Sequence, residues 1–247
     1  DFDGVSSTTI DAFGSVYMVG YFGSPSISFD TIVLTNSAPI QFKMFIAKFD
    51  AIGNVIWAKT CISSWWNVAT SIATDASGNV FIAGSYDDST IVIGSDTLFN
   101  SGNRDLFYAK YDTNGNVIWA KRAGGSYDDH GTSIILDVFG NCVLTGYYAS
   151  PFIVFGNDTL FKNGYQSIFT YKFDTNGNKI WLKTEGGNKE DYASSLSSDL
   201  SGNIYIAGYF NSDSIIIGAF TLINSATYFS DAFLFKYDSS GNVIWAK

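Results

Sequence analysis

The chain has 247 residues, 46% hydrophobic and 17% aromatic, which is enough to bury a sizeable core. Charged residues make up only 15%, the net charge is −9 and the pI is about 4.4; without a positive field no nucleic-acid partner is expected. No run approaches eighteen apolar residues, so no membrane span is expected, and two cysteines at different repeat positions, Cys61 and Cys142, give no disulfide framework.

The first turn signal is Asp11-x-x-Gly14, and seven more follow at Asp50, Asp75, Asp112, Asp137, Asp174, Asp199 and Asp238. An Asp at the first position bonds its own backbone, and a Gly three residues on takes the left-handed conformation that completes a bulged hairpin. Seven of the eight glycines are followed by Asn; Gly14 is followed by Ser15. Short apolar and aromatic runs flank these turns and read as strands. In the second unit the predicted strands are A over 71–74, B over 80–85, C over 106–111 and D over 117–122. Between B and C lies a small hairpin insert, Ile91-Val-Ile-Gly94 with Thr97-Leu98. It recurs at Phe29…Leu34, at Phe155-Gly156…Leu160 and at Ile217-Gly218…Leu222. No segment has a helical period.

Strand D carries the strongest mark. Asn-x-Ile-Trp-x-Lys occurs four times, with its tryptophans at Trp57, Trp119, Trp181 and Trp245, spaced by 62, 62 and 64 residues. A fixed long period identifies a repeat architecture. Four antiparallel strands per repeat, repeated radially, describe a β-propeller. The predicted fold is therefore all-β: four blades of about 62 residues, forming one repeat domain over 1–247 with units near 3–66, 67–128, 129–190 and 191–247. A closed four-blade ring and a slice of a longer array both fit, and a stacked solenoid is the alternative. The chain opens on Asp1, so a processed product or part of a longer chain is expected.

The repeated tryptophans are expected to dock one unit on the next, with Gly53, Gly115, Gly177 and Gly241 completing the turns. Lys59, Lys121, Lys183 and Lys247 are expected on the outer blade edge, where charge discourages foreign strand pairing. Gly20, Gly84, Gly146 and Gly208 are expected to end strand B and let backbones approach closely. The turns have oxygen ligands in alternation but lack EF-hand spacing, so neither metal nor cofactor is expected.

Several segments resemble the bacterial β-propeller repeat called SBBP. They are Gly-Asn-Val-Phe-Ile-Ala-Gly84, Phe-Gly156-x-x-Thr-Leu160, and Phe-Tyr-Ala-Lys-Tyr-Asp112-x-x-Gly-Asn-Val-Ile-Trp-Ala-Lys121 followed by Gly124-Gly125. The resemblance implies secreted or cell-surface bacterial proteins, many from Bacteroidetes with type IX secretion signals, and implies no catalytic residues. Asp112-x-x-Gly115-x-x-x-Trp119 is also similar to the docking motif of quinoprotein propellers and to the sialidase Asp-box, with altered spacing, and is read as convergent hairpin chemistry.

Residues that recur serve the fold, so function is sought where the units differ. The D–A loops align by position: Trp65-Trp66, Tyr127-Asp128 and Lys189-Glu190 vary, while Asp3, Asn67, Asp129 and Asp191 keep an acceptor expected to bond loop amides. The varying six are the candidate ligand residues, with a glycan or a surface protein as the expected partner. His130, the one histidine, is read as a loop residue. The expected function is a non-catalytic extracellular or cell-surface binding or adhesion scaffold. The alternatives are a carbohydrate-active enzyme using Asp87, Asp88, Asp128, Asp129, Glu190 or Asp191, and a purely structural spacer.

Overall fold

A computed structural model describes residues 2–37, 41–225 and 229–247. Among these residues there are 24 strands and no helix, and within each repeat neighbouring strands pair antiparallel. The chain divides into two compact units, residues 1–123 and 124–247, and each holds two repeats.

In the first unit, β1 (Asp3–Ile10) and β2 (Val16–Phe22) are followed by the hairpin β3 (Ser26–Phe29)–β4 (Ile32–Thr35), then β5 (Lys43–Phe49) and β6 (Val55–Thr60). The first sheet has the order β1-β2-β5-β6. The second repeat follows the same plan with β7 (Asn67–Thr74), β8 (Val80–Tyr86), the hairpin β9 (Thr90–Ile93)–β10 (Asp96–Phe99), β11 (Asp105–Tyr111) and β12 (Val117–Gly124). The second unit repeats the plan twice. Its first set is β13 (Asp129–Leu136), β14 (Cys142–Tyr148), β15 (Phe152–Phe155), β16 (Asp158–Phe161), β17 (Ser167–Phe173) and β18 (Lys179–Gly187). Its second set is β19 (Asp191–Ser198), β20 (Ile204–Phe210), β21 (Ser214–Ile217), β22 (Phe220–Ile223), β23 (Asp231–Tyr237) and β24 (Val243–Ala246).

All eight predicted turns form alike. The Gly N–H donates to the Asp carbonyl, and the Asp N–H donates to the carbonyl four residues on. At Asp112, Oδ1 accepts the N–H groups of Asn114 (2.9 Å) and Asn116 (2.8 Å), and Oδ2 accepts Asn116 Nδ2 (2.9 Å). That pattern accounts for the recurrent Asn and engages both carboxylate oxygens in the turn. The glycines sit at φ between 76° and 94°, which an L side chain resists. Each C–D hairpin also bulges after its turn, as where Lys110 pairs with Trp119 and Tyr111 with Val117. The Ile of each motif is thereby left unpaired and outward, and Ile118 is 51% exposed.

Strand A is longer than expected. In the second repeat it begins at Asn67, four residues before the predicted Ser71, because a bulge between Ala69 and Ser71 breaks the alternation that marks a strand. The same bulge recurs at Val5/Ser7, Gly131/Ser133 and Ala193/Ser195. Opposite it lies the strand-B glycine, two residues inside the strand rather than at its end. A Cβ on Gly146 would lie 1.8 Å from the His130 carbonyl oxygen, and one on Gly84 2.1 Å from that of Val68. The glycine and the bulge therefore require each other.

Docking between consecutive sheets is visible inside each unit. Trp57 donates Nε1 to the Thr113 carbonyl at 3.1 Å and lays its ring on Gly115, where a Cβ would come within 2.9 Å. Trp181 repeats this on Ser239 and Gly241 with the same distances. Both rings are buried, while Trp119 and Trp245 are half-buried and contact Tyr108 and Tyr205 of their own sheets. Gly53 has open space where a Cβ would stand, and Gly177 holds φ at 79°. The core of each unit gathers around its docked tryptophan: Tyr17, Ile46, Ile82 and Phe107 in the first, and Val143, Ile206, Phe233 and Phe235 in the second.

The strand-D edge is not bare as the lysines suggested. Beyond the tryptophan, strand D continues onto the hairpin of the next repeat: Ile62 exchanges two 2.9 Å backbone bonds with Val92, and Gly186-Gly187 pairs with Ile216-Ile215. The tip of that hairpin rests on its own strand D, where Gly94 abuts Val117 and Gly218 abuts Val243. A second lysine set, on strand C, is the buried one. Lys172 is 2% exposed, pairs with Asp137 at 2.7 Å and donates to the Ser239 carbonyl at 3.1 Å. Lys48 donates to the Thr113 carbonyl at 3.2 Å.

Candidate functional site

The antiparallel order places the A–B and C–D turns at one end of each sheet, and the D–A loops with the hairpin inserts at the other. The first end is nearly uniform. The second is built around the recurrent acceptor at the start of strand A, which is buried in the last three repeats (Asn67, Asp129 and Asp191) and exposed in the first (Asp3).

In the third repeat, Asp129 Oδ2 accepts Gly125 N–H (2.7 Å) and Ser150 Oγ (2.8 Å), and Ser150 Oγ accepts Tyr127 N–H (2.9 Å). The fourth repeat matches it: Asp191 accepts Gly187 N–H and Ser212 Oγ, and Ser212 Oγ accepts Lys189 N–H. In the first repeat, Asp3 Oδ1 accepts the N–H groups of Gly23 and Ser24, both at 3.1 Å. The second repeat exchanges the partners. Its strand residue is Asn67 and its loop residue is Asp88, whose Oδ2 accepts Ser64 N–H (2.5 Å), Ser64 Oγ (3.0 Å) and Trp65 N–H (3.1 Å). Asn67 Oδ1 accepts Met44 N–H and the Cys61 thiol, and its amide donates to Ser63 Oγ and the Trp65 carbonyl. One carboxylate per loop is kept; only its position moves. Burial pushes the Asp191 carboxyl above its usual range against these lowering hydrogen bonds.

The six candidate residues ride on these tied loops. Trp65 and Trp66 belong to the first unit and the other four to the second. Trp65 is 53% exposed, but Trp66 is half-buried and already occupied: the Arg104 guanidinium lies 4.0 Å from its ring centroid. Arg104 is in turn gripped by Asp87, Nε to Oδ1 at 2.5 Å and Nη2 to Oδ2 at 3.0 Å. A stacked cation of this kind is worth about 0.5–1 kcal/mol. Tyr127 and Asp128 are exposed, and Asp128 is held by its carbonyl, which accepts Ala149 N–H at 2.9 Å. Lys189 pairs with Asp213 at 2.6 Å, and the half-buried Glu190 accepts Asn211 N–H through its carbonyl.

A row of rings in the second unit was not anticipated. His130 stacks on Tyr147 at 4.7 Å, Tyr147 meets Tyr192 edge-on at 4.8 Å, and Tyr192 stacks on Tyr209 at 4.7 Å. His130 is thus a strand residue paired with Tyr147, not a loop residue. The signal was present: His130 and Tyr192 stand 62 residues apart, as do Tyr147 and Tyr209, so the rings occupy equivalent cross-strand pairs. The Arg104–Asp87 clamp had no such period, and only the crowding of both arginines, Arg104 and Arg122, into one repeat hinted at it. Both cysteines are buried, and no disulfide joins them. Among the described residues no group of His, Cys, Asp and Glu has the arrangement of a metal site, and no helix is long and apolar enough to cross a membrane.

No protein-family model matches the chain. Two curated proteins are similar over most of it: an uncharacterized WD repeat-containing protein, L264, of Acanthamoeba polyphaga mimivirus, 24% identical across 84% of this chain, and the regulatory protein FlaEY of Caulobacter vibrioides, 25% identical across 78%. The chain spans only 19% and 20% of the lengths of these relatives.

Proposed function

We propose that the four repeats are blades of a β-propeller or an open array of the same plan, acting as a non-catalytic binding or adhesion scaffold of a secreted or cell-surface protein. The radial reading is supported by the tryptophan docking of consecutive sheets and by the likeness to a WD repeat protein. The observation that carries the binding role is the contrast between the two ends. Eight turns share one hydrogen-bond pattern at one end; at the other, loops tied by the same acceptor present different side chains. A rigid base under variable loops is how binding surfaces are commonly built.

A non-catalytic role is supported by how the loop carboxylates are used. Hydrolysis of a glycosidic bond needs two convergent carboxyl groups. Of the six acidic candidates, Asp87 holds Arg104, and Asp88, Asp129 and Asp191 tie their own loops.

A glycan array probed with the purified chain, followed by reducing-sugar assays on every hit, tests this reading. Binding without turnover, weakened at least tenfold by Trp65→Ala, is the expected result. Release of reducing sugar abolished by Asp128→Asn or Glu190→Gln would replace the scaffold with a hydrolase. Absence of any glycan or protein partner would leave a spacer.

A further inference from the structure

The second unit contains an open groove of about 730 Å³, within the range of small-ligand sites. It runs between residues 162–164, residues 186–188 and the start of β21, at the variable end of the sheets. Three glycines bare its floor. Gly164 takes φ of +67°, and a Cβ there would meet the Gly187 carbonyl oxygen at 2.2 Å, so two main chains touch where side chains would fill the space. Ile216, 56% exposed, supplies an apolar wall, and Tyr165, 66% exposed, neighbours Gly164 beside it.

The groove lies where the third repeat breaks a rule kept by the others. Asn36, Asn100 and Asn224 occupy one repeat position and clamp the B–C loop. Each donates Nδ2 to the last carbonyl of strand B (Phe22, Tyr86 and Phe210) and to a second carbonyl across the loop (Gln41, Asn103 and Phe229). The third repeat has Lys162 instead. Its ammonium reaches the Ala149 carbonyl at 2.6 Å and stands 5.8 Å from the Tyr165 ring centroid; the carbonyl takes one of its three protons. The loop is held from elsewhere: Ser167 Oγ bonds both the N–H and the carbonyl of Asn163, and Gln166 N–H donates to the Lys189 carbonyl. Clamping by other residues frees position 162 to carry a charge at the groove.

We propose that this groove binds a saccharide bearing a carboxylate, a uronic-acid type of sugar, with Lys162 as the carboxylate's partner; the proposal rests on the scaffold reading above and gives that scaffold a ligand class. Asp213, the one carboxylate of the lining, is paired with Lys189 Nζ (2.6 Å) and also accepts Asn188 Nδ2 (2.8 Å), so Lys162 leaves the groove locally cationic on an acidic chain. Asn163 and Ser214 are suited to ring hydroxyls, and Ile216 to the C–H face of a pyranose. A peptide strand is disfavoured because Gly186-Gly187 and Ile215-Ile216 already pair with one another, leaving no open ladder there.

Calorimetric titration of the whole chain with a trisaccharide of galacturonic acid, and with the neutral galactose trisaccharide, tests the proposal. The acidic sugar should bind at least tenfold tighter than the neutral one. Lys162→Asn, which installs the clamp of the other repeats, should keep the melting temperature and lose at least tenfold in affinity for the acidic sugar. Ile216→Ser, using the residue at the equivalent position 28, should weaken both sugars. Equal binding of the two sugars, or unchanged binding in Lys162→Asn, overturns the proposal. Failure of both sugars alongside Trp65-dependent hits on the glycan array overturns the groove and leaves the scaffold reading intact; failure of both sugars and of the array removes both.

Discussion

At positions 67 and 88 the second repeat carries Asn and Asp where the third carries Asp and Ser, and the pair behaves as one unit. Asp88→Ser alone leaves the Ser64 amide short of its acceptor, a loss of about 1–3 kcal/mol. Asn67→Asp alone brings a second carboxylate to the same loop. The double change restores the third-repeat arrangement, so a double-mutant cycle in urea should return a favourable coupling of about 1–2 kcal/mol; additive losses would show that the two sites act independently. Trp57→Ala removes a buried ring and its bond to Thr113, and should cost about 3–5 kcal/mol in the same assay. Isolated residues of this kind were only partly legible. The four tryptophans announced themselves by period. Arg104 over Trp66 did not, because a cation stacking on a ring across 38 positions leaves no local pattern. The strand-C lysines were legible in principle, since Lys48, Lys110, Lys172 and Lys236 each stand two residues before the Asp of a C–D turn.

Strands and turns were the most legible level, because each Asp-x-x-Gly carries its own conformational cause. Predicted strands B, C and D of the second repeat agree with β8, β11 and β12 to within two residues at each end. Strand A failed at its start, since the bulge at Ala69/Ser71 erases the two-residue alternation. The bulge and the strand-B glycine should be separable from the turn glycines by mutation. Gly146→Ala forces a methyl to within 1.8 Å of the His130 carbonyl oxygen, and the ladder must shift to admit it. Gly140→Ala meets nothing within 4 Å and suffers only its φ of +79°. The turn variant should lose about 1–2 kcal/mol, and the strand variant clearly more; circular-dichroism melts rank the two, and the reverse order would remove the steric account. At this scale Lys172→Met is also informative. It strands Asp137 without its buried cation and should cost about 3–5 kcal/mol, visible as a lower urea midpoint.

Two sets of carboxylates in the chain have opposite pH behaviour. The Asn54 side chain and then its backbone N–H hold the Asp50 carboxyl below the usual range; Asn242 does so for Asp238, and Asn203 leads for Asp199. Their contribution is present above the ordinary carboxylate pKa and fades as pH falls through the depressed folded values. Burial does the reverse at Asp105, raising it to about 6 despite Arg122 at 2.9 Å, and it also raises Glu185 and Asp191. A raised acid favours the fold while protonated, so that contribution is complete below the ordinary value and is lost as pH climbs through about 6. Melting temperature should therefore peak near the ordinary carboxylate value of about pH 4 and fall from there to about pH 6, and Asp105→Asn should flatten that fall. An unchanged slope in the variant would assign the fall to other groups. Sequence reading could see the turn acids but not this second class, because burial of Asp105 depends on which strands flank β11.

The backward reach of each hairpin has a consequence for growth of such a chain. Within each unit, the second repeat covers the strand laid down before it. In the second unit the cut between repeats therefore runs through a shared sheet, between β18 and β21, rather than between sheets. An extra copy inserted in frame at any interior point would arrive with the hairpin needed to seal its predecessor, and would offer its own strand to the hairpin downstream. Duplication of this segment can thus proceed one unit at a time without an intermediate length that exposes a raw edge inside the array.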